Sequence, residues 1–573
     1  MTLSVPTLAR LAPALAEAFR DRHFTVTGLE DALGAEAVAA LARSDAASVR
    51  RRARSAGPTG ILVRLFILGD ALLETEVAAV LPGVPVSDGI AAGLWWRPNP
   101  PEGTLRSIVD LRPVDTGHGT RWVFADVDGS MVHATTRPDH VLGVGQATLS
   151  LLRITPTSHA DSVLDLGTGC GIQLVHALDT ARTATGTDIT PRCLELAAAT
   201  LAINGLDGEL LAGPWFEPVG NRRFDRIVAN PPFVVGPSEP GHSYRESGLA
   251  LDGASRTVVS GAPEHLTENG TAVILASWVE RRDTDWRSHV SSWIPAEGVE
   301  AWVLRRDTSD PELYVWTWLT DEGMDPRDES TARAADAWLD HFEEEGIDGI
   351  GFGYVYLRRI DGASSVLCED LTHPFDGGLG DEAEAYFART AWLRAAADRQ
   401  AGQAQALDAT VFTVSPDVHL HVSESLAPDT GGPGRGISGS GDPGPGESGW
   451  GDPDLGESGW GDRGPGESED DGSGSTAAAG SVIVERVTGA RWRHEIDPLT
   501  ATLFRGARMG ALPLEDLVVL AAAGAGEDPE ALAEPVRRVV ADLFLHGFLV
   551  PVGVPGVLPP GVHTAHPEGR ADA

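Results

Sequence analysis

The sequence predicts an α/β protein built around a mostly parallel sheet, with α+β segments on either side. Three observations carry this. Short apolar runs alternate with helical patterns between residues 141 and 360, as a sheet with crossover helices requires. The run Ser162-Val163-Leu164 enters a glycine-rich turn, Asp165-Leu166-Gly167-Thr168-Gly169-Cys170-Gly171, and then a helical pattern. The flanks instead read as helices closed by short strands. A chain of 573 residues is too long for one core, and the divisions are 1–140, 141–360, and a C-terminal domain made of 361–425 and 481–573 with 426–480 looped out.

In residues 1–140, Leu8, Leu11, Leu15 and Phe19 recur at helical spacing. Thr104 to Val114 alternates as a strand, and Arg121 to Val127 can pair with it across Gly117-His118-Gly119. Helices closed by a two-stranded wing predict a winged-helix-like recognition domain. Arg50, Arg51, Arg52 and Arg54 form the densest positive charge in the chain, suited either to a phosphate backbone or to a solvated helix end.

In residues 141–360, Ala184 to Asp188 is a second strand and Pro191 to Asn204 a helix. Glu209 to Ala212 and Arg226 to Ala229 are further strands, the latter running into Asn230-Pro231-Pro232-Phe233. Val273 to Ser277, Val299 to Arg305 and Ile350 to Arg359 complete the sheet, and Asp310-Pro311-Glu312 opens a helix. Residues 426–480 repeat GDPGPGESGW-like blocks with a period of ten, a composition that builds no core. The last residues return to helices and a short strand, again winged-helix-like.

The glycines at 167, 169 and 171 let the backbone turn sharply and leave room for a ligand. The spacing D-x-G-x-G-x-G is not the G-x-G-x-x-G of dinucleotide-binding folds, since Ile172 stands where the third glycine belongs. Asp188 ends the second strand 17 residues beyond Gly171, where a carboxylate can accept two ribose hydroxyls. Together these residues resemble the first motifs of class I S-adenosylmethionine (AdoMet) methyltransferases. The resemblance implies a Rossmann-like sheet, AdoMet as cofactor, and cofactor contacts from Asp165, Gly167, Thr168, Gly169, Gly171, Asp188, Ile189, Trp215 and Asn230. Relatives often carry an acidic residue for the adenine amino group after the third strand. Here Gly213 is followed by Pro214, which can make no such side-chain bond.

Asn230-Pro231-Pro232-Phe233 matches the N-P-P-[FY] motif of small-domain amino-group methyltransferases, among them ribosomal RNA guanine-N2 and release-factor glutamine methyltransferases. The chemistry is legible in the residue types. An amide or exocyclic NH2 is a poor nucleophile, because its lone pair is delocalised. Two fixed acceptors, the Asn230 side-chain oxygen and the Pro231 carbonyl, can hold its hydrogens and turn the lone pair outwards. The prolines stiffen the loop, and Phe233 can stack on the flat acceptor. The expected catalytic set is therefore Asn230, Pro231, Pro232 and Phe233. Tyr244 and Arg245 follow in a loop that resembles the families' substrate-side loop.

Composition narrows the class further. The net charge is −39, of which −16 falls in residues 141–360 (17 Arg against 33 acidic residues). The chain contains no Lys, so every basic contact is an Arg contact. Three cysteines, Cys170, Cys193 and Cys368, make neither a disulfide framework nor a zinc site. Neither a signal segment nor an apolar run of about 18 residues is present. The expectation is a cytoplasmic enzyme with no metal and no membrane partner. It would methylate an exocyclic amino group of a nucleic-acid base, RNA ahead of DNA. A protein glutamine, as on a release factor, is the alternative, and a non-catalytic binding module the third reading.

Overall fold

In the computed structural model, residues 3–98, 102–129, 131, 139–232, 235–236, 249, 251–321, 324–325, 327–371, 373, 375, 378–398, 402–422 and 482–558 are described. They divide into two units, the division falling between Phe387 and Ala388.

The first unit opens with helix α1 (Val5–Asp21), which buries Leu8, Leu11, Leu15 and Phe19, the face that their spacing predicts. Further short helices follow as far as Ala92. The single strand expected over Thr104 to Val114 is in fact two. Ser107 donates its hydroxyl to the carbonyls of Leu94 (3.1 Å) and Val109 (2.6 Å), drawing the chain out of line. Thr104–Ser107 pairs with Leu72–Leu73 and Trp95–Trp96. Beyond the break, β1 (Asp110–Asp115) and β2 (Thr120–Ala125) form the hairpin over Gly117-His118-Gly119.

Helix α2 (Gln146–Ile154) precedes β3 (Ala160–Leu166), α3 (Ile172–Thr180), β4 (Ala181–Asp188), α4 (Pro191–Asn204), β5 (Glu209–Ala212) and β6 (Phe224–Ala229). Then come β7 (Leu266–Arg281), β8 (Glu297–Ser309), β9 (Ile347–Ala363) and β10 (Ser365–Asp370). The bounds of α4 are those its sequence predicts, because proline opens the helix and Gly205 at φ 65° closes it. The eight strands β3–β10 lie in the order β5-β4-β3-β6-β7-β9-β8-β10. All neighbours are parallel except β9, which runs antiparallel to both β7 and β8. This is a doubly wound sheet with a reversed strand near one edge, and the first chain reversal in strand order lies between β3 and β6.

The two faces of β9 are unlike. Gly351 and Gly353 lie under fully buried Trp278, and a Cβ at Gly353 would come within 2.8 Å of that ring and 2.0 Å of the Leu304 carbonyl. Trp278 in turn stacks on Trp286 at 5.3 Å. On the opposite face Tyr356 donates to the Ile154 carbonyl at 3.0 Å, and the hydroxyls of Tyr354 and Ser150 share a hydrogen bond of 2.9 Å. These bonds dock α2 on that face.

The hairpin β1–β2 is spent on packing within the unit. Asn204 of α4 receives the Trp122 N–H on its side-chain oxygen (3.0 Å) and donates to the Trp122 carbonyl (2.7 Å). Thr200 accepts the Phe124 N–H at 3.0 Å. Cys193, Leu196, Ala199 and Ile203 of α4 share one buried core with Phe19, Phe66 and Trp122.

In the second unit Val418–Val422, Val482–Arg486 and Arg493–Ile496 form an antiparallel sheet, followed by helices Pro498–Ala507, Leu514–Ala525 and Pro529–Leu545. Leu549–Pro551 closes it by pairing with Phe412–Val414. Arg486 is fully buried, its Nε on Asp417 at 3.0 Å and its Nη1 on the His546 carbonyl at 2.9 Å. A buried guanidinium needs such partners, since desolvation without them costs several kcal/mol.

Candidate active site

Four connections leave the same end of the parallel strands side by side. The register pairs Leu166 of β3 with Thr187 of β4 and with Ala229 of β6, and Asp188 with Ala212 of β5. The glycine turn after β3, Ile189 after β4, Gly213-Pro214-Trp215 after β5 and Asn230 after β6 are therefore neighbours. Ligands bind at such carboxyl ends, where the crossovers diverge to opposite faces and leave a crevice.

The turn is held by its own backbone. The Thr187 carbonyl accepts the N–H groups of both Gly167 (2.9 Å) and Thr168 (2.8 Å), and Gly171 N–H bonds to the Thr168 carbonyl at 2.8 Å. Gly167, Gly169 and Gly171 have φ values of 76°, 53° and 83°, where a side chain would be strained. Their surroundings separate two roles. A Cβ on Gly171 would come within 2.9 Å of Ala197 Cα, so this glycine lets α3 and α4 approach, whereas one on Gly167 or Gly169 would meet only open space.

Asp165 is buried, and its carboxylate accepts the Thr168 hydroxyl at 2.6 Å. Burial pushes its carboxyl up to about 7, the Thr168 bond opposes the rise, and the nearby Asp188 charge adds to it. Asp188 accepts the N–H of Gly169 on one oxygen (3.0 Å) and that of Thr190 on the other (2.8 Å). Ile189, beside it, is 67% exposed, an apolar side chain held out at the rim. Trp215 is half-buried with φ 49°, and Phe216 stacks on His265 at 4.5 Å. Gly213 donates to the Asp188 carbonyl at 3.0 Å, while Pro214 offers only its own carbonyl, taken by Glu217 N–H at 3.1 Å.

Asn230 is half-buried, yet its Oδ1 is fully buried and accepts no hydrogen bond among the described residues. A buried, unused acceptor is costly unless something in function occupies it. Pro231 is buried and Pro232 half-buried. Phe233, Tyr244 and Arg245 lie outside the described residues.

Several features of the site carry little sequence signal. Cys193 places its thiol against Asp188; burial first, and then that carboxylate, push the thiol well above its usual range. Asp252 accepts both the Val279 N–H (3.0 Å) and His289 Nε2 (2.7 Å), tethering the end of the loop that follows Asn-Pro-Pro-Phe. For Asp252 the signal on offer is the Asp-Gly pair before a helix.

Residues 142–283 match the methyltransferase small domain family. That match covers the central segment, from before β3 to the end of β7. Residues 21–100 and 467–551 each match a domain of unknown function. A release factor glutamine methyltransferase of Agrobacterium fabrum is 32% identical over 176 residues, 28% of this chain and 61% of that protein. Ribosomal RNA small subunit methyltransferase C of Salmonella choleraesuis is 36% identical over 130 residues, 22% of this chain and 34% of that protein. The chain thus spans less than two thirds of the length of either relative. Among solved structures, a Thermus thermophilus 16S rRNA N2 G1207 methyltransferase in complex with AdoMet and guanosine is 19% identical, covering 36% of this chain and 54% of its own, with a TM-score of 0.25.

The residues present at the carboxyl ends of β3, β4 and β5 fit an adenosyl cofactor. The glycine turn is open where a Cβ would intrude, a carboxylate stands beside it, and an exposed isoleucine can cover a flat ring. The buried Asn230 Oδ1 keeps an unused capacity to accept a hydrogen bond among the described residues. Among the described residues no cluster of three or more His, Cys, Asp or Glu could hold a metal, and no helix is long and apolar enough to cross a membrane.

Proposed function

We propose that this protein is an AdoMet-dependent N-methyltransferase acting on the exocyclic amino group of a nucleic-acid base, in RNA. The single observation that carries the amino-group reading is the buried Asn230 Oδ1 without a hydrogen-bond partner among the described residues. A hydroxyl or thiol acceptor would offer one hydrogen, whereas the pair of acceptors at Asn230 and Pro231 suits an NH2 that offers two. In this reading Gly167, Thr168, Gly169 and Gly171 wrap the cofactor, Asp188 takes its ribose hydroxyls, and Ile189 and Trp215 flank its adenine. Asp165 lies beneath the turn and holds it through Thr168.

Bound AdoMet supplies a methyl group activated by its sulfonium. The chain's own residues position the nucleophile: Asn230 Oδ1 and the Pro231 carbonyl accept one N–H each, localising the nitrogen lone pair towards that methyl carbon. The leaving group for the methyl transferred to that nitrogen would be the sulfonium, and the proton the nitrogen gives up would go to water. No strong base is needed.

Support for RNA comes from the ribosomal RNA relative and from Arg51 and Arg54, both exposed and without an ion-pair partner among the described residues. In this reading residues 1–140 are the recognition domain. A second reading, a protein glutamine, is favoured by the net −16 of residues 141–360, which repels phosphate, and by the release-factor relative. The experiment is incubation with radiolabelled AdoMet and cell extract, followed by nuclease or protease. Label lost to nuclease alone supports RNA; label lost to protease alone moves the glutamine reading to first place.

A further inference from the structure

Resting on the amino-group reading above, we infer that Tyr314 is a positioning residue for methyl transfer: its buried hydroxyl fixes the chain just beyond Asn230-Pro231-Pro232-Phe233 and so holds the Asn230 and Pro231 acceptors in place. Tyr314 lies on α5 (Pro311–Asp321), beyond the family match, which ends at residue 283. Tyr314, Val315, Trp318 and Leu319 recur at helical spacing and are all buried, so this face of α5 belongs to a core that also contains Phe342 of α6 (Glu329–Glu344) and Phe352 of β9. The tyrosine ring lies 6.0 Å from the rings of both Phe342 and Phe352 and 6.2 Å from that of Trp338. Rings on α6 and β9 thus set where its hydroxyl stands.

That hydroxyl accepts the backbone N–H of Val235 at 2.6 Å. Val235 is fully buried and shares the same core, so its N–H has no water to turn to and depends on this one oxygen. The next residue is fitted as closely, since a Cβ on Gly236 would come within 3.1 Å of the Trp338 ring. On the other side of the motif, Ala229 is held in the ladder by its pairing with Ile274 of β7. The acceptors therefore stand between two anchors, the sheet one residue before Asn230 and Tyr314 five residues after it. Pro231 and Pro232 each have a fixed φ, which leaves the segment between the anchors fewer ways to yield. Acceptors that must meet both hydrogens of one NH2 need such bracing, because a displacement of about 1 Å can cost about 100-fold in rate.

The test uses the full chain and follows label from saturating AdoMet into the macromolecules of cell extract, with the rate read against extract concentration. Tyr314→Phe keeps the ring and leaves the Val235 N–H without its acceptor. Its limiting rate should fall by about tenfold to 100-fold, with the half-saturating extract concentration and the affinity for S-adenosylhomocysteine unchanged. In an Asn230→Ala background the same change should cost about threefold or less, because residues that act as a unit are not additive. A tyrosine that only supports the fold would lower both backgrounds by the same factor. Should Tyr314→Phe lose S-adenosylhomocysteine binding, Gly236→Ala takes its place; it keeps the hydroxyl, presses the segment against Trp338, and should show the same fall and the same non-additivity. A wild-type limiting rate in Tyr314→Phe, an equal fall in both backgrounds, or loss of S-adenosylhomocysteine binding in both variants overturns the inference alone. Asn230→Ala turning over as fast as wild type overturns the amino-group reading and the inference with it.

Discussion

Asp188 Oδ2 accepts the backbone N–H of Gly169 at 3.0 Å, so the end of β4 holds the glycine turn that follows β3. Its other oxygen is taken by Thr190 N–H at 2.8 Å. A carboxylate has about four acceptor positions, so about two remain for ribose hydroxyls. Asp188→Ala should therefore weaken AdoMet binding by about tenfold or more and lower the melting temperature as well, since two backbone N–H groups lose their partner. Calorimetric titration with wild-type affinity would remove Asp188 from the cofactor site.

In the proposed reading Asn230 acts on the amino group that receives the methyl, so its loss should separate cofactor binding from chemistry. Asn230→Ala removes an acceptor used chiefly as the nitrogen pyramidalises, and turnover should fall by about 100- to 1000-fold while AdoMet affinity barely changes. Asn230→Asp keeps an oxygen there and should retain more activity than the alanine variant. Single-turnover methyl transfer at saturating AdoMet is the measurement; equal rates for wild type and Asn230→Ala would reduce the motif to a turn.

The buried Asp165 carboxyl predicts a pH dependence with a definite sign. Its folded value of about 7 lies above the ordinary aspartate value of 3.8, so the folded chain binds this proton more tightly than the unfolded chain. The resulting stabilisation is present in full below the unfolded value and is lost as pH rises through about 7. Asp165→Asn keeps an oxygen for the Thr168 hydroxyl but cannot titrate. Measured without cofactor, its melting temperature should gain on wild type as pH rises from about 4 to about 7 and level off above that, the window between the unfolded and folded values. A constant difference would mean that Asp165 stays ionised throughout.

The arginine cluster is not uniform. Arg50 is paired with Asp70 at 2.8 Å and Arg52 with Glu36 at 3.3 Å, while Arg51 and Arg54 are exposed and carry no ion pair among the described residues. If RNA is bound there, Arg51→Ala with Arg54→Ala should flatten the salt dependence by about 0.7 for each phosphate of a single strand that is no longer neutralised. Arg52→Ala should have a smaller effect, and Arg50→Ala should act partly through stability. Filter binding across a salt series compares them; an unchanged slope in the double variant would take this cluster off the RNA path.

Much of the catalytic segment is legible in the sequence because its signals are local. Proline and glycine bound α4 at Pro191 and Asn204, glycine spacing marks the turn after β3, and an apolar run ends at Asn230, where two prolines stop the strand. Each depends on backbone preferences over a few residues. The arrangement of strands does not. Tyr354 meets Leu275 across 79 positions of sequence, and no spacing rule says that β9 inserts antiparallel between β7 and β8. The break at Ser107 and the docking of β2 on α4 through Phe124 and Thr200 are likewise long-range hydrogen-bonding choices. The register shift between Arg305 and Asp307 belongs with them, because a bulge exists only relative to the strand it is paired with. Local residue preferences suffice to say where each strand of the site ends and what chemistry stands there. Which of those ends come together is settled by the assembled sheet, because pairing energy depends on partners brought close by the fold of the whole unit.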